Sequence, residues 1–167
     1  KGILASYKVK GEEVIQQGPT PAFWRAPTDN DIGAGFNRNL RMWRNAYDSG
    51  TNVKATVSKM NVTTCQISIS KELVNGDAHH VQVFTVFGDG SIKVDNSFTA
   101  IKGNYPLLLR AGNDITIHKN FSNIRWYGRG PGENYWDRKT NTFIGQYQQT
   151  VDEQYYPYAR PQESGNH

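Results

Sequence analysis

Two pairs of carboxylates are close enough in the sequence to work together as general acid and base, or as acid and nucleophile. The first pair is Asp29 and Asp31, and the second is Glu133 and Asp137. Such chemistry needs two carboxyl groups held at a fixed separation. Both pairs stand in loop-like stretches among amides and arginines, where carboxylates usually cap turns or bind Arg. We therefore favour structural roles for them, and we assign no catalytic residue.

Motifs for cofactor and metal binding fail at specific positions. The stretch Gly128-Arg129-Gly130-Pro131-Gly132 has the glycines of a dinucleotide loop, but that motif needs a following helix, and none is predicted after the proline. Asp29-Asn30-Asp31-Ile32-Gly33 begins like a calcium loop, yet its glycine stands where an oxygen ligand is required. His79 and His80 would point to opposite faces of a strand and could not share one metal. We expect no metal site and no cofactor in this chain.

Alternating polarity predicts that β-strands position most of these residues. The segment 81–87 is apolar on both faces, which indicates a central strand, and Gly88-Asp89-Gly90 indicates a hairpin turn before a strand at 92–94. The other predicted strands are 3–9, 13–17, 53–57, 65–69, 107–110, 115–118, 124–127 and 143–147. Many short strands joined by Gly, Pro and Asn turns predict an all-β fold, most simply an antiparallel β-sandwich.

One segment, near residues 38–48, has the spacing of a short amphipathic helix instead. Its apolar positions are Leu40, Trp43, Ala46 and Tyr47. Asn37 or Asn39 is the candidate N-cap, and Gly50 is the candidate stop signal. The sequence therefore predicts one helix of about three turns.

Composition limits the partners that the chain can have. The 167 residues fit one domain or part of a larger one. The formal charge is only +4, with the signs interspersed, and no apolar run approaches the ~20 residues of a membrane span. We expect neither nucleic acid nor membrane as a partner. Because the chain starts at Lys1 without Met and stops abruptly at His167, we expect it to be a piece of a longer protein.

Two long blocks of the sequence carry a family resemblance. The first, residues 21–33, is PAFWRAPTDNDIG, and the segment with Trp43 follows it. The second, residues 126–138, is WYGRGPGENYWDR, and it continues through Gly145-Gln146-Tyr147 and residues 155–158 to the final residues 160–167. Together they resemble the C-terminal, or small-chain, domain of the large β-galactosidases of glycoside hydrolase family 2. The order and spacing match over nearly the whole chain.

The resemblance implies a fold, an activity and partners. The fold is a galactose mutarotase-like β-sandwich, truncated, with residues 1–167 as its N-terminal portion. The parent enzyme would be a retaining hydrolase of terminal β-D-galactosides. Its two catalytic glutamates would belong to a separate (β/α)₈ barrel, so Glu133 and Glu163 are not catalytic and the fragment alone is inactive.

The resemblance also implies what surrounds the chain. Mg or Na ions, where the parent uses them, would be bound mainly by other domains. The expected partners are the rest of the same chain, above all the barrel, and the galactoside substrate, in a homo-oligomeric parent. Bacterial cytoplasm and periplasm both remain open as locations.

In the family, a mobile loop near the sugar pocket follows the first block. This implies a substrate-site loop here, formed by Asp29, Asn30, Asp31, Gly33, Ala34, Gly35 and Phe36. Two glycines within three residues supply the backbone freedom that a moving loop needs. The alternative is that these glycines only make a turn into the helix.

The remaining motif residues are predicted to form a structural network. We expect Arg25 to bind Asp29 or Asp31, because guanidinium binds carboxylate in a bidentate manner. A similar network among the backbone groups of the Gly/Pro loop is expected from Glu133, Asn134, Asp137 and Arg138. The aromatic residues interpreted as packing anchors are Trp126, Tyr127, Tyr135 and Trp136.

Three functions are compatible with these observations. The first is a non-catalytic domain of a β-galactosidase that helps to shape its sugar site. The second is a stand-alone carbohydrate-binding module, in which exposed aromatic faces bind sugar. The third is an aldose mutarotase, whose chemistry would need a His and a carboxylate acting on the sugar; His79, His80 and His118 are available for that role.

Overall fold

A computed structural model of the chain describes residues 2–103, 105–135 and 138–160. The fold divides into two compact units. Unit 1 comprises the residues up to Arg25 together with Gly35–Ile117, and unit 2 comprises Ala26–Ala34 together with the residues from His118 onwards. Among the described residues, no helix is both long enough and apolar enough to cross a membrane.

Strands dominate both units. The strands are β1 (Lys8–Val9), β2 (Glu12–Glu13), β3 (Ile15–Ala22), β4 (Thr51–Lys59), β5 (Thr64–Leu73), β6 (Ala78–Phe87), β7 (Ile92–Ala100), β8 (Gly112–Ile117), β9 (Asn123–Gly130) and β10 (Phe143–Thr150). The helices are α1 (Asp29–Gly33) and α2 (Phe36–Asn39), with 3₁₀ turns at Arg41–Trp43, Val74–Gly76 and Asp152–Gln154.

The main element of unit 1 is a four-stranded antiparallel sheet in the order β4-β5-β6-β7. The predicted central strand at 81–87 is confirmed, since β6 pairs with β5 on one side and with β7 on the other. The predicted hairpin is also present: Phe87 N donates to Ser91 O at 2.9 Å, and Asp89 Oδ1 accepts from Ser91 N at 2.9 Å. Each strand follows its neighbour in the sequence, so short turns alone build this sheet.

The buried face of this sheet carries polar side chains in its middle. Cross-strand register places Lys71 beside His80 and Ile69 beside Gln82. Lys71, His80 and Gln82 are each at most 3% exposed. The apolar residues around them on this face are Ile69, Leu73, Ala78 and Phe84. Segment 81–87 was predicted to be apolar on both faces, and yet the more deeply buried face of β6 carries the polar residues His80 and Gln82.

A second sheet, the antiparallel pair β3 and β8, lies against this buried face. Gln82 Nε2 donates to Asn113 Oδ1 of β8 at 3.0 Å and to Pro19 O of β3 at 3.4 Å. Two antiparallel sheets packed face to face are an all-β sandwich, which confirms the predicted fold class.

Two of the predicted strands are largely wrong. Only Lys8–Val9 is a strand within 3–9, and residues 107–110 contain none. In the second case Leu108 and Leu109 pack against the apolar core from a loop. The apolar run there reflects burial rather than strand pairing, and sequence periodicity does not separate the two.

The predicted helix near residues 38–48 is shorter and less regular than expected. Its apolar positions are indeed buried, since Leu40, Trp43, Ala46 and Tyr47 are at most 4% exposed. However, α2 ends after Asn39 and a 3₁₀ turn follows. The N-cap is Gly35, with φ +74°, rather than Asn37 or Asn39. Asparagine is a poor helix former, and the three asparagines at 37, 39 and 45 weaken a regular helix here.

Lys71 and His80 are packed among aromatic rings in the core of unit 1. Lys71 Nζ donates to Tyr47 O at 2.8 Å and lies 3.9 Å from the centroid of the Tyr47 ring. The His80 ring meets Tyr47 edge-on at 5.5 Å and Phe23 at 5.8 Å. Burial lowers the pKa of His80 from 6.5 to about 4, and burial also lowers the pKa of Lys71. The imidazole of His80 is therefore neutral in the folded core at neutral pH.

Unit 2 contains the antiparallel pair β9 and β10, both longer than predicted. Trp126 is paired directly with Tyr147, and their ring centroids are 5.5 Å apart. Trp126 is therefore a packing anchor, as expected. Tyr127 is 76% exposed within this chain, contrary to the prediction, because successive side chains of a strand point to opposite faces.

The glycine that ends β9 is required by this ring pair. A Cβ atom on Gly130 would lie 2.7 Å from a Tyr147 ring carbon and 3.0 Å from a Trp126 ring carbon. Trp126 Nε1 donates to Arg129 O at 2.9 Å, and Arg129 Nη1 donates to Thr142 O at 2.9 Å. Of the glycines that suggested a nucleotide loop, Gly130 therefore serves a close backbone approach to two rings.

We predict that His80 makes the protein lose stability in mild acid. Below pH 6.5 the unfolded chain binds a proton at His80, whereas the folded protein does not until about pH 4. The stability that the neutral imidazole contributes is therefore fully present above pH 6.5. As the pH falls from 6.5 to about 4, the free energy of unfolding decreases by on the order of 3 kcal/mol. The free energy of unfolding, measured by denaturant titration between pH 7 and pH 4.5, should fall less in His80→Phe than in the wild type. His79→Phe is the control and should keep the wild-type loss, and an unchanged acid loss in His80→Phe would contradict the prediction.

We predict that Gly130→Ala destabilises unit 2, whereas Gly132→Ala does not. The first methyl group would press into the Tyr147 and Trp126 rings, while nothing lies within 4 Å of the second. Overpacking of this kind costs about 1–3 kcal/mol. Thermal unfolding of both variants measures the difference, and equal melting temperatures would show that the rings move aside at little cost.

Candidate functional site

The expected substrate-site loop begins with a capped turn of helix rather than an irregular loop. Thr28 is the N-cap of α1: its Oγ1 accepts from Asp31 N at 3.2 Å, and the Asp31 carboxylate accepts from Thr28 N at 2.9 Å. Asp31 is 5% exposed, whereas Asp29 and Asn30 are exposed. The two aspartates therefore have different environments, and one carboxylate oxygen of Asp31 is engaged in holding α1.

Sequence reasoning missed this cap although the signal was present. Thr28 and Asp31 stand three positions apart, which is the spacing of a capping box, with Asp in place of the usual Glu or Gln. Asp29 to Asp31 were compared with a calcium loop, and that match was rejected at Gly33, whereas the spacing from Thr28 to Asp31 was not tested as a cap.

The second half of the expected loop passes from α1 to α2. Ala34 N donates to Asn30 O at 2.9 Å, which closes α1. Gly35 has φ +74°, a conformation that favours glycine, and it opens α2 ahead of Phe36. Gly33 has no such constraint, and a Cβ atom there would meet nothing within 4 Å. Mobility of this segment stays a prediction.

Arg25 directly follows the buried core residue Phe23 and the partly buried Trp24, and it is itself half-buried. It belongs to unit 1, whereas Asp29 and Asp31 belong to unit 2. The expected ion pair between Arg25 and these aspartates stays a prediction.

The structure brings Glu133 and Arg138 together. Glu133 Oε1 lies 3.1 Å from Arg138 Nη1, and the Glu133 side chain is 4% exposed. Arg138 also donates to Tyr158 Oη at 3.2 Å and to Tyr156 Oη at 3.4 Å, and its guanidinium lies 5.0 Å from the Tyr156 ring centroid. The hydrogen bond to Tyr156, followed by the Glu133 charge, raises the pKa of Arg138.

This cluster, Glu133 with Arg138, Tyr156 and Tyr158, joins the second block to the segment after β10. The centroids of the two tyrosine rings lie 4.6 Å apart with their planes tilted by 51°, which adds a ring contact to the polar contacts. Sequence reasoning placed these tyrosines in the family motif but did not identify them as partners of Arg138. No local signal could have done so, because the contact spans about twenty residues.

The other members of the expected network are placed only in part. Asn134 is fully buried next to Glu133. Asp137 and Trp136 lie outside the described residues, as does Glu163 near the end of the chain. Tyr135 is half-buried.

The site residues show no arrangement typical of a metal centre in the part of the chain that the structure describes. There, no three His, Cys, Asp or Glu side chains are grouped so that they could hold a metal ion. His80 lies in the aromatic core, and its neighbour His79 occupies the alternate position on β6. Asp31 instead contacts the backbone of Thr28, and Glu133 contacts the guanidinium of Arg138.

The family model and the similar proteins all indicate the same family. A family model described as "Beta galactosidase small chain" matches residues 1–167. Proteins named "Beta-galactosidase" from Priestia megaterium and Lactobacillus delbrueckii subsp. bulgaricus are 37% and 34% identical to this chain over 99% of its length, covering 16% of their own. The protein of the same name from Kluyveromyces lactis is 31% identical over 99% of this chain and 17% of its own length.

The chain thus spans about a sixth of the length of the curated relatives it matches. The match runs through both blocks and through the β-sandwich of unit 1 that lies between them. On this ground the chain belongs to the β-galactosidase small-chain family.

Proposed function

We propose that this chain is a non-catalytic domain of a retaining β-galactosidase, which hydrolyses terminal β-D-galactosides. In the intact enzyme it packs against the catalytic barrel and helps to shape the sugar site, and by itself it is inactive. The observation that carries the proposal is the family match over residues 1–167, in a chain that covers about a sixth of each relative named a β-galactosidase.

The environments of the motif carboxylates support a positioning role. A retaining glycosidase needs two carboxyl groups about 5–5.5 Å apart that both reach the substrate. Asp31 holds the backbone of Thr28, and Glu133 binds the Arg138 guanidinium with its side chain only 4% exposed. Each carboxylate has a contact that fixes a loop, which is what a domain that shapes a neighbouring site requires.

We predict that Glu133→Gln lowers stability but leaves the chemical step intact. The variant removes the negative charge next to Arg138, which costs on the order of 1 kcal/mol because Arg138 is partly solvated. In the intact protein, kcat for a nitrophenyl β-galactoside should stay within about threefold of the wild type, whereas loss of a catalytic acid or base costs about 10²-fold or more. Activity and melting temperature are measured together.

The amount of folded protein must be equal in this comparison, so the assay is run well below the melting temperature of the variant. A fall in kcat of about 10²-fold in fully folded Glu133→Gln would contradict the non-catalytic assignment. The coding sequence upstream gives an independent test, because the proposal requires a (β/α)₈ barrel with two catalytic glutamates there.

We predict that α1 contributes to binding of the galactoside. Thr28→Val removes the hydroxyl that accepts from Asp31 N, whereas Thr28→Ser keeps it. Loss of an N-cap costs about 1 kcal/mol, and α1 has only five residues with which to absorb it. If the whole cost appears as weaker substrate binding, the KM of Thr28→Val rises by about fivefold.

Thr28→Ser is the matched control and should keep the wild-type KM. Hydrogen–deuterium exchange of residues 28–34 reports separately whether α1 has loosened. Faster exchange in Thr28→Val together with an unchanged KM would show that this segment does not shape the sugar site.

A further inference from the structure

Unit 1 contains a cavity of about 260 Å³ whose walls come from three parts of the sandwich. One wall is formed by β3 and the residues that follow it, including Phe23 and Trp24. The second is the turn region after α2, which contributes Trp43 and Asn45, and the third is Asp114 of β8. The volume lies just below the range of about 300–1,000 Å³ found for drug-sized ligands, so it suits a single small ring.

The apolar part of this cavity is aromatic and rigid. Phe23 and Trp43 are 4% and 2% exposed, and their ring centroids lie 6.4 Å apart in a tilted pair. Trp43 also packs edge-on against Phe98 and Tyr105. The Phe23 and Trp43 rings form a closed, rigid floor beneath the cavity, and the partly buried Trp24 is the aromatic lining residue with surface left to meet a ligand.

The polar part offers both donors and acceptors. Gln17 and Asn45 supply amides, each of which can donate and accept, and Arg44 supplies a guanidinium. Asp48 and Asp114 supply carboxylate acceptors. A ligand with several neighbouring hydroxyl groups matches this mixture, because each hydroxyl also donates and accepts.

The charges around the cavity favour a neutral ligand. Arg44 and Asp48 both line it and carry opposite charges. The other charged lining residue, Asp114, lies 3.6 Å from Arg110 Nη2 in an ion pair. Positive and negative groups are thus balanced, and neither an anion nor a cation finds a region of one sign.

From these observations we propose that the cavity binds one pyranose ring, with Trp24 against its C–H groups and the amides and carboxylates on its hydroxyls. This goes beyond the proposed function, because it assigns a sugar to the core of unit 1 rather than to the segment around α1. It also gives a specific place to the carbohydrate binding that the sequence left as an alternative.

The test is hydrogen–deuterium exchange of the intact protein with and without D-galactose or D-glucose. Peptides that cover residues 17–24 and 43–48 should exchange about threefold more slowly when the free sugar is at about twice its Kd. D-sorbitol at the same concentration is the control for general effects of a polyol on stability. Equal protection by sorbitol would overturn the proposal.

Two variants locate the effect. Asn45→Ala removes an exposed lining amide and should abolish the protection, whereas Arg41→Ala, exposed on the same turn but outside the lining, should keep it. Protection that persists in Asn45→Ala places the sugar elsewhere. If no protection is seen in the wild type at any sugar concentration up to saturation, the cavity is filled by another part of the protein or is too small, and the proposal fails.

Discussion

The hydrogen bond from Lys71 to the backbone carbonyl of Tyr47 is the interaction on which unit 1 depends. An ammonium that is 3% exposed must have partners, because burying a charge without them is costly. The carbonyl at 2.8 Å and the face of the Tyr47 ring at 3.9 Å both contribute. This contact joins the middle of the sheet to the turn after α2, and it thereby sets where Trp43 and Asn45 lie along the wall of the cavity.

Much of the architecture follows from patterns that the sequence shows directly. Alternation along β4 and β5, the apolar segment 81–87 and the turn at Gly88-Asp89-Gly90 predicted the central sheet, because strand pairing there is local. The spacing of Leu40, Trp43, Ala46 and Tyr47 predicted which side chains are buried but not the break after Asn39. Patterns of this kind treat polar residues as solvent-facing, so they could not predict that Lys71 and Gln82 point into the core.

The contacts within the candidate site could be predicted from the sequence much less well than the strands could. The family resemblance identified the two blocks, whereas the contacts that explain them are specific to three-dimensional packing. Gly130 is required by the Trp126 and Tyr147 rings, and Glu133 is placed by Arg138. Only the Thr28 cap could have been predicted from neighbouring residues in the sequence. Partners distant in sequence, such as Tyr158 for Arg138, become visible only once the chain has folded.

The pairing of β3 with β8 imposes an order on folding while the chain is being synthesised. Ile15 pairs with Ile117, so about a hundred residues separate the two partners. The sheet β4 to β7 lies entirely between them and needs only neighbouring hairpins, which form quickly. As the chain leaves the ribosome, β3 must therefore wait without its partner until this sheet has been made. The earliest strand of the sandwich to be translated is among the last to be completed, and until then its edge is open to pairing with the wrong strand.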